Sequence, residues 1–293
     1  MTIVDICIEI YPLKNTSLAI RYMLLSTTAF AFMNALIKYL IHFPTFELVF
    51  FRSLFTLLIA GVVMRSQHIS FRPNKGKLLL LRGIVGVTSM SLFFLAAHYI
   101  PIGSAVTIRY IAPLFGGILA VYFLKEKIFP MQWFFYLFAF IGVVFIKGFD
   151  TSVSLFGVSL VIAAAFFSAI VYIIIAKIGQ RDHPLRIVFY FMLIATITGA
   201  IGGVFDWVAP SKLELFFLLM LGVLGYFGQY YMTKAFQHGD TNRVAPFKYV
   251  EVIFTLSFGI YWFGETYSLL SFVGIFMVIS GLTMSVVYKH RKA

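Results

Sequence analysis

Charged side chains interrupt several long apolar runs of this sequence. Arg52, Arg109, Lys248 and Glu251 lie well inside such runs, and Glu47 lies near the beginning of the second. A charge at the centre of a membrane costs about 2.5–3.5 kcal/mol on insertion scales, so residues of this kind are typically retained for function. The three cations outnumber the two carboxylates, which predicts a positive cavity. Guanidinium groups bind carboxylate or phosphate oxygens in a bidentate manner.

Structural roles for the same charges stay open at this point. Lys248 and Glu251 are three positions apart on one predicted helix face and can neutralise each other. Arg52 can pair with Glu47 or with a neighbouring helix. Arg109 has no acidic residue near it in the sequence, so we expect it to face a cavity. Glu251 is the remaining candidate for coupling to an ion.

Uncharged polar side chains within the apolar runs complete the candidate set. Buried tyrosine, asparagine and glutamine need hydrogen-bond partners. They can contact the body of a small molecule, although bonding between helices is their ordinary role. The predicted substrate-binding residues are therefore Arg109, Tyr110, Lys248, Tyr249, Glu251, Arg52, Asn34, Tyr226, Gln229 and Tyr230.

Sequence patterns of catalysis and of resident cofactors are missing. The chain has no GxxxxGK, HExxH or GxSxG motif. Its single cysteine, Cys7, excludes an internal disulfide and a cysteine-based zinc cluster. We expect no catalytic residue, no metal and no cofactor. The alternative from another class is an intramembrane enzyme that acts on a lipid or lipid-linked substrate, which needs a nucleophile or an acid–base cluster.

The composition is that of an integral membrane protein. Hydrophobic residues make up 61% of the 293 residues and charged residues 12%, and mean hydropathy is +0.96; soluble chains carry about 25% charged residues. The expected partners are the lipid bilayer and a small metabolite, and the oligomeric state stays open. Ten apolar segments of helix length follow one another, at 18–41, 45–64, 80–98, 102–124, 131–147, 154–176, 184–204, 213–235, 241–263 and 269–288.

The net charge of +12 is explained by the loops between these segments rather than by nucleic acid. Lysine and arginine concentrate in the loops on one side of the membrane, whereas the loops on the other side carry only Lys38, Lys147 and Lys212. Cytoplasmic loops are rich in such residues. The bias predicts an even number of spans in a bacterial inner membrane, with both termini in the cytoplasm. Arg82 is counted with the cytoplasmic loop cations.

The sequence contains an internal repeat at an offset of 139 positions. Arg109-Tyr110 then matches Lys248-Tyr249, Glu126 matches Glu265, and Gly83, Gly86 and Gly142 match Gly222, Gly225 and Gly281. Each copy holds five spans, and because five is odd the second copy must enter the membrane from the opposite face. The prediction is an all-α membrane protein of ten transmembrane helices in two inverted repeats around a central cavity. The predicted division is 1–17 cytoplasmic tail, 18–147 first repeat, 154–288 second repeat and 289–293 basic cytoplasmic tail.

Several of these segments resemble the EamA type of the drug/metabolite transporter superfamily. The resemblance rests on FELVFFRSLF in the second span, LRG at the start of the third and PLFGGILAVYFLKEKI, and it covers nearly the whole chain. KAFQHGDTNRVAPFKYVE adds a likeness to the S-adenosylmethionine transporters of rickettsia-like bacteria, although a cation at Arg109 is not part of that pattern. The resemblance implies a ten-helix basket around a central cavity, with Arg52, Lys248, Tyr249 and Glu251 near the substrate path.

Together these features predict a secondary transporter of the inner membrane that works by alternating access. Its substrate would be a small polar metabolite that is amino-acid-like, zwitterionic or anionic, with S-adenosylmethionine as one candidate. Arg109 and Lys248 would attract the negative group of the substrate, and aromatic residues would contact its body.

Overall fold

All regular structure in the described residues is helical. The computed structural model describes residues 16–112, 114–116, 118–119, 129–147, 153–238, 247–248 and 250–292. Apart from a short 3₁₀ turn at Gly179–Arg181, the elements with defined bounds are α1 (Thr16–Tyr39), α2 (Thr45–Ser66), α3 (Gly76–Ala96), α4 (Ile102–Arg109), α5 (Pro130–Lys147), α6 (Leu155–Ile178), α7 (Pro184–Gly203), α8 (Lys212–His238), α9 (Val250–Phe263) and α10 (Leu269–Lys292).

Six of these helices are long and apolar enough to cross a membrane: α1, α2, α3, α6, α7 and α8. The helices α5, α9 and α10 contain shorter apolar stretches, and so does the region from α4 to Gly116. Large apolar side chains cover the outside of the bundle, including Val62, which is 69% exposed, and Ile201, which is 67% exposed. Such a surface is stable only against lipid. The predicted all-helical membrane class is confirmed.

The helices pack in pairs that recur at the offset of the sequence repeat. Helix α1 packs on α8, and its counterpart α6 packs on α3. Helix α2 contacts α8, and its counterpart α7 contacts α3. The pairs α2–α7, α4–α9 and α5–α10 each join a helix to its own counterpart. The cavity described below lies among helices that make these contacts.

Glycines allow the closest of these approaches, at matching places. A Cβ atom at Gly83 of α3 would lie 2.2 Å from Ile194 Cδ1 of α7. At the counterpart Gly222 of α8, it would lie 2.3 Å from Phe55 Cβ of α2. Phe55 and Ile194 are themselves 139 positions apart. Small residues at such contacts let two helix backbones approach closely.

A second matched set joins α5 to α10. A Cβ atom at Gly142 would lie 2.6 Å from the Gly274 carbonyl oxygen, and one at Gly281 would lie 2.8 Å from the Phe135 carbonyl oxygen. Phe135 and Gly274 are again 139 positions apart. These helices therefore meet backbone to backbone in two places related by the repeat.

Glu265 closes one end of the bundle beside α4. Its carboxylate accepts from the Ile102 backbone N–H at 3.1 Å and from the Tyr267 hydroxyl at 2.6 Å, and it lies 3.2 Å from Lys38 Nζ. A carboxylate at a helix N-terminus satisfies an unpaired donor and suits the helix dipole. These contacts join the ends of α1, α4 and α9. Glu126, its counterpart in the repeat, lies outside the described residues.

Asp182 fixes the beginning of α3 in a similar way. The carboxylate accepts from the backbone N–H groups of Asn74 at 3.0 Å and Lys75 at 2.9 Å, and from Arg186 NH1 at 2.8 Å. Because Asp182 is buried, these bonds tie the loop before α3 to the join between α6 and α7. They thereby set the position of the first turns of α3, which carry Arg82.

Candidate substrate cavity

A polar cavity lies inside the bundle among α1, α2, α3, α6, α7 and α8, the end of α4 and the residues around the beginning of α9. It contains about 630 Å³ of unfilled space, open solvent at its mouth included. Four cations and one carboxylate line it: Arg52, Arg82, Arg109, Lys248 and Glu251. The predicted cations Arg109 and Lys248 therefore lie on one shared cavity rather than on the lipid surface.

Glu251 is the most heavily bonded side chain of the cavity. It is fully buried and accepts hydrogen bonds from Asn34 Nδ2 at 2.8 Å, from Arg109 NH2 at 3.3 Å and from the Tyr110 hydroxyl. The three donors come from α1 and from the region at the end of α4. Burying a carboxylate is tolerable only with partners of this kind. Glu251 thus connects the second half of the chain to the first.

Arg109 is held by its ring contact as well as by its ion pair. Its guanidinium carbon lies 4.0 Å from the centre of the Phe93 ring. Its side chain is 21% exposed, whereas that of Glu251 is not exposed at all. Arg109 therefore retains access to the cavity while it is bound to Glu251.

Lys248 lies in a cage of aromatic rings. Its Nζ donates to the Tyr172 hydroxyl at 2.7 Å and lies 4.6 Å from the centre of the same ring. The rings of Tyr110 and Phe236 are 5.6 and 5.9 Å away. These partners attract a cation without neutralising it. Lys248 and Glu251 thus have different partners, and the structure does not bring them together as a self-neutralising pair.

Arg52 of α2 is 2% exposed, and its contacts are to neutral groups. It donates to the thioether sulfurs of Met33, at 3.3 Å, and of Met90, and it lies 5.9 Å from the centre of the Phe94 ring. Thioether sulfur is a weak acceptor. The alternative in which Arg52 pairs with Glu47 is not what the structure shows. Glu47 instead accepts from the Val208 backbone N–H at 2.9 Å and does not line the cavity.

Arg82 is a cavity residue that the sequence did not indicate. The predicted third segment, 80–98, contains Arg82 at its beginning, where it was counted with the cytoplasmic cations. Helix α3 begins four residues earlier, at Gly76, so Arg82 lies in its second turn. The side chain is 2% exposed; NH2 donates to Gln229 Oε1 at 3.2 Å, and the guanidinium lies 4.0 Å from the centre of the Phe191 ring. The sequence contains one signal for this position, because Arg82 lies between apolar residues. Tyr172 was missed as well, because one tyrosine in an apolar run is unremarkable.

The remaining predicted residues divide between the cavity and other sites. Gln229 lines the cavity, and Asn34 and Tyr110 bind Glu251 behind its wall. Tyr226 and Tyr230 stack on each other at 5.7 Å and pack with residues of α2 and α7, away from the cavity lining. Tyr249 lies outside the described residues.

The rest of the cavity wall is apolar and polarisable. It includes the thioethers of Met33, Met90 and Met232 and the rings of Phe30, Phe93 and Phe94. Ser89 and Ser168 lie 2.8 Å apart on α3 and α6 and add a small polar patch. Within the described ranges no group of three potential metal ligands occurs. The site is suited to a small molecule with both charged and apolar parts.

Comparisons with known proteins agree with this architecture. The sequence model of the EamA-like transporter family matches residues 17–148 and again residues 155–287. A pseudopaline exporter of Pseudomonas aeruginosa is 30% identical over 266 residues, covering 89% of this chain and 93% of that protein. Human solute carrier family 35 member G1 is 29% identical and covers 85% of this chain and 73% of that protein.

Further matches extend over nearly the whole chain. An S-adenosylmethionine uptake transporter of Rickettsia bellii is 27% identical over 289 residues, covering 96% of this chain and 97% of that protein. A solved crystal structure with 15% identity has a TM-score of 0.68 and covers 94% of this chain and 97% of its own, which shows a shared fold. The two family matches together cover most of the sequence. This chain is an integral membrane protein that belongs to the EamA-like transporter family.

Proposed function

We propose that this protein is a secondary transporter that moves a small zwitterionic or anionic metabolite across a bacterial inner membrane by alternating access. Ten spans form two inverted repeats, 18–147 and 154–288, and the tails 1–17 and 289–293 are cytoplasmic. Arg109 and Lys248 attract the negative group of the substrate.

The paired helix contacts support the inverted repeat. Each contact has a counterpart in the other half: α1 packs on α8 as α6 packs on α3, and α2 contacts α8 as α7 contacts α3. The close helix approaches at glycine also recur at the offset of 139. The two family matches divide the chain near the same point, between residues 148 and 155. In transporters built this way, the substrate site lies between the repeats near the middle of the membrane. Here the polar cavity has contributions from both halves.

The observation that carries the proposal is the contact between Arg109 and Glu251. One belongs to the first repeat and the other to the second, and their ion pair lies on the cavity wall. An incoming carboxylate competes with Glu251 for the exposed part of Arg109. Binding therefore changes the free energy of the contact between the two halves, which is the coupling that alternating access requires.

The named substrates of the relatives supply compounds for a first screen. One relative is named for export of pseudopaline and another for uptake of S-adenosylmethionine. Both names describe movement of a metabolite across a membrane, in opposite directions. Both compounds therefore belong in the screen, together with amino acids and organic anions.

Counterflow in liposomes tests the proposal. Protein is reconstituted into vesicles loaded with one unlabelled metabolite, and entry of the labelled compound is followed over time. We expect transient accumulation for at least one zwitterionic or anionic metabolite, and loss of accumulation in the Arg109→Gln variant. The Lys177→Gln variant, at the exposed end of α6, is the matched control. No exchange of any such metabolite by correctly folded protein would contradict the proposal.

A further inference from the structure

The cavity carries more positive charge than a substrate with a single negative group can neutralise. Of the four cations, only Arg109 has a carboxylate partner within the described part of the chain. Arg52, Arg82 and Lys248 keep neutral partners, and all three are at least nine-tenths buried. Buried charges without counter-charges are unfavourable, and proteins normally pair them or use them.

Arg82 has unused hydrogen-bonding capacity. A guanidinium group carries five N–H donors, but among the described residues the only acceptor is the amide oxygen of Gln229, which binds NH2. Nε and NH1 are buried and have no hydrogen-bond partner in the part of the chain that the structure describes. Gly86, which lines the cavity, leaves the room that NH1 occupies, since a Cβ atom there would lie 2.1 Å from NH1. Buried donors without acceptors are rare and call for an explanation.

The cations fall into two groups on different helices. In the first group, Arg109 is hydrogen-bonded to Glu251, which also accepts from Asn34 and Tyr110; these residues lie on or beside α4, α9 and α1. Arg82 belongs with Gln229, on α3 and α8. Arg52 on α2 lines the same cavity as both Arg109 and Arg82. An oxyanion held at the Arg109 group therefore leaves Arg82 without a counter-charge.

We infer that the substrate carries at least two oxyanionic groups, and that Arg82 and Gln229 form the subsite for the second. This inference rests on the proposed transport function and narrows its substrate class. One oxyanion approaches Arg109 and Lys248, and the other accepts from Arg82 with the support of Arg52. A carboxylate and a phosphate ester share the chemistry that the second subsite recognises.

Matched substrate pairs test the inference in proteoliposomes. Glutamate and glutamine, aspartate and asparagine, and succinate and succinamate have the same size but differ by one carboxylate. Phosphoserine against serine tests a phosphate in place of the carboxylate. As competitors of counterflow, the members with two oxyanionic groups should bind about tenfold more tightly, because charge-assisted hydrogen bonds to arginine discriminate on this scale. Preference for phosphoserine would also support the second subsite and assign it to phosphate.

Variants connect the preference to Arg82. In Arg82→Gln the preference for the member with two oxyanionic groups should fall to about twofold or less, while competition by its partner in the pair is retained. Arg82→Lys keeps the charge and should retain part of the preference. Gly86→Ala keeps Arg82 but displaces its guanidinium, and should act like Arg82→Gln. Monodispersity and thermal stability in detergent show that each variant is folded.

The outcomes separate the two proposals. Exchange of metabolites without preference for the member with two oxyanionic groups in any pair would overturn the inference and leave the transport function standing. Exchange of S-adenosylmethionine, which carries a sulfonium cation and one carboxylate, in preference to every compound with two oxyanionic groups would overturn it equally. Absence of exchange of any anionic or zwitterionic metabolite would overturn both proposals. An equal preference for such compounds in wild type and Arg82→Gln would overturn the assignment of the second subsite to Arg82.

Discussion

The ion pair between Arg109 and Glu251 should be energetically coupled, and a double-mutant cycle measures that coupling. The single variants are Arg109→Gln and Glu251→Gln, and the double variant carries both changes. Glutamine is close in size to glutamate, so Glu251→Gln removes the charge with little change in volume. The cycle isolates the pair from the other contacts that each side chain makes.

The structure predicts that the two single changes are unequal. Arg109→Gln leaves the fully buried Glu251 with only Asn34 and Tyr110 as donors; loss of a partner from a buried pair costs about 3–5 kcal/mol. Glu251→Gln leaves Arg109 with its contact to Phe93 and with 21% of its side chain exposed, so we expect about 1–2 kcal/mol. The double variant leaves no charge unpaired at this position. The loss in its free energy of unfolding should be smaller than the sum of the two single losses by about 1–3 kcal/mol.

The assay is reversible unfolding in mixed micelles, with the apparent free energy of unfolding determined for all four proteins. Lys177→Gln combined with Glu251→Gln serves as the control pair, because Lys177 lies exposed at the end of α6. We expect the control pair to be additive. Additivity within about 0.3–0.5 kcal/mol for the Arg109–Glu251 cycle as well would refute the reasoning.

Three further variants test other parts of the account. Lys248→Met should weaken competition by anionic substrates about tenfold, whereas Lys177→Met should not; equal effects would remove Lys248 from the site. Gly142→Leu should lower the free energy of unfolding by about 1–3 kcal/mol, because a Cβ there already lies 2.6 Å from a carbonyl oxygen of α10; unchanged stability in the same micelles would contradict that packing. Glu265→Gln should cost about 1–2 kcal/mol through its bonds to Lys38 and to the beginning of α4; an unaltered denaturation midpoint would show that this end is not held by the carboxylate.

Apolar run length and the sequence repeat were sufficient to predict the helical class and the places of close helix contact. Gly83 and Gly222 match each other in the repeat, and each lies against a large side chain of a neighbouring helix. These features are readable because they depend on local periodicity and on residue size. The common cavity of Arg109 and Lys248 follows from the same symmetry.

Partners across the bundle could not be read in the same way. The carboxylate that binds Arg109 is 142 positions away, in a helix whose own nearby cation, Lys248, was the obvious alternative. Glu47 was expected to add negative charge to the cavity, but it binds the Val208 N–H instead. Arg82 lies at the beginning of the predicted third segment and was counted with the cytoplasmic cations, because positive charge at the end of a span is typical of the cytoplasmic side. Tertiary packing decides such choices, and local sequence does not contain it.

Access to Ser168 from the two sides of the membrane tests the central claim most directly. Ser168 lines the cavity, and a Cys7→Ser background makes Ser168→Cys the only thiol. We expect that a membrane-impermeant, negatively charged thiol reagent modifies Ser168→Cys both in right-side-out and in inside-out vesicles, and that a transported metabolite slows the reaction from either side. The lipid-facing Val62→Cys, in the same background, should stay unmodified. Reaction of Ser168→Cys from one side only, or at a rate that no transported metabolite alters, would contradict alternating access through this cavity.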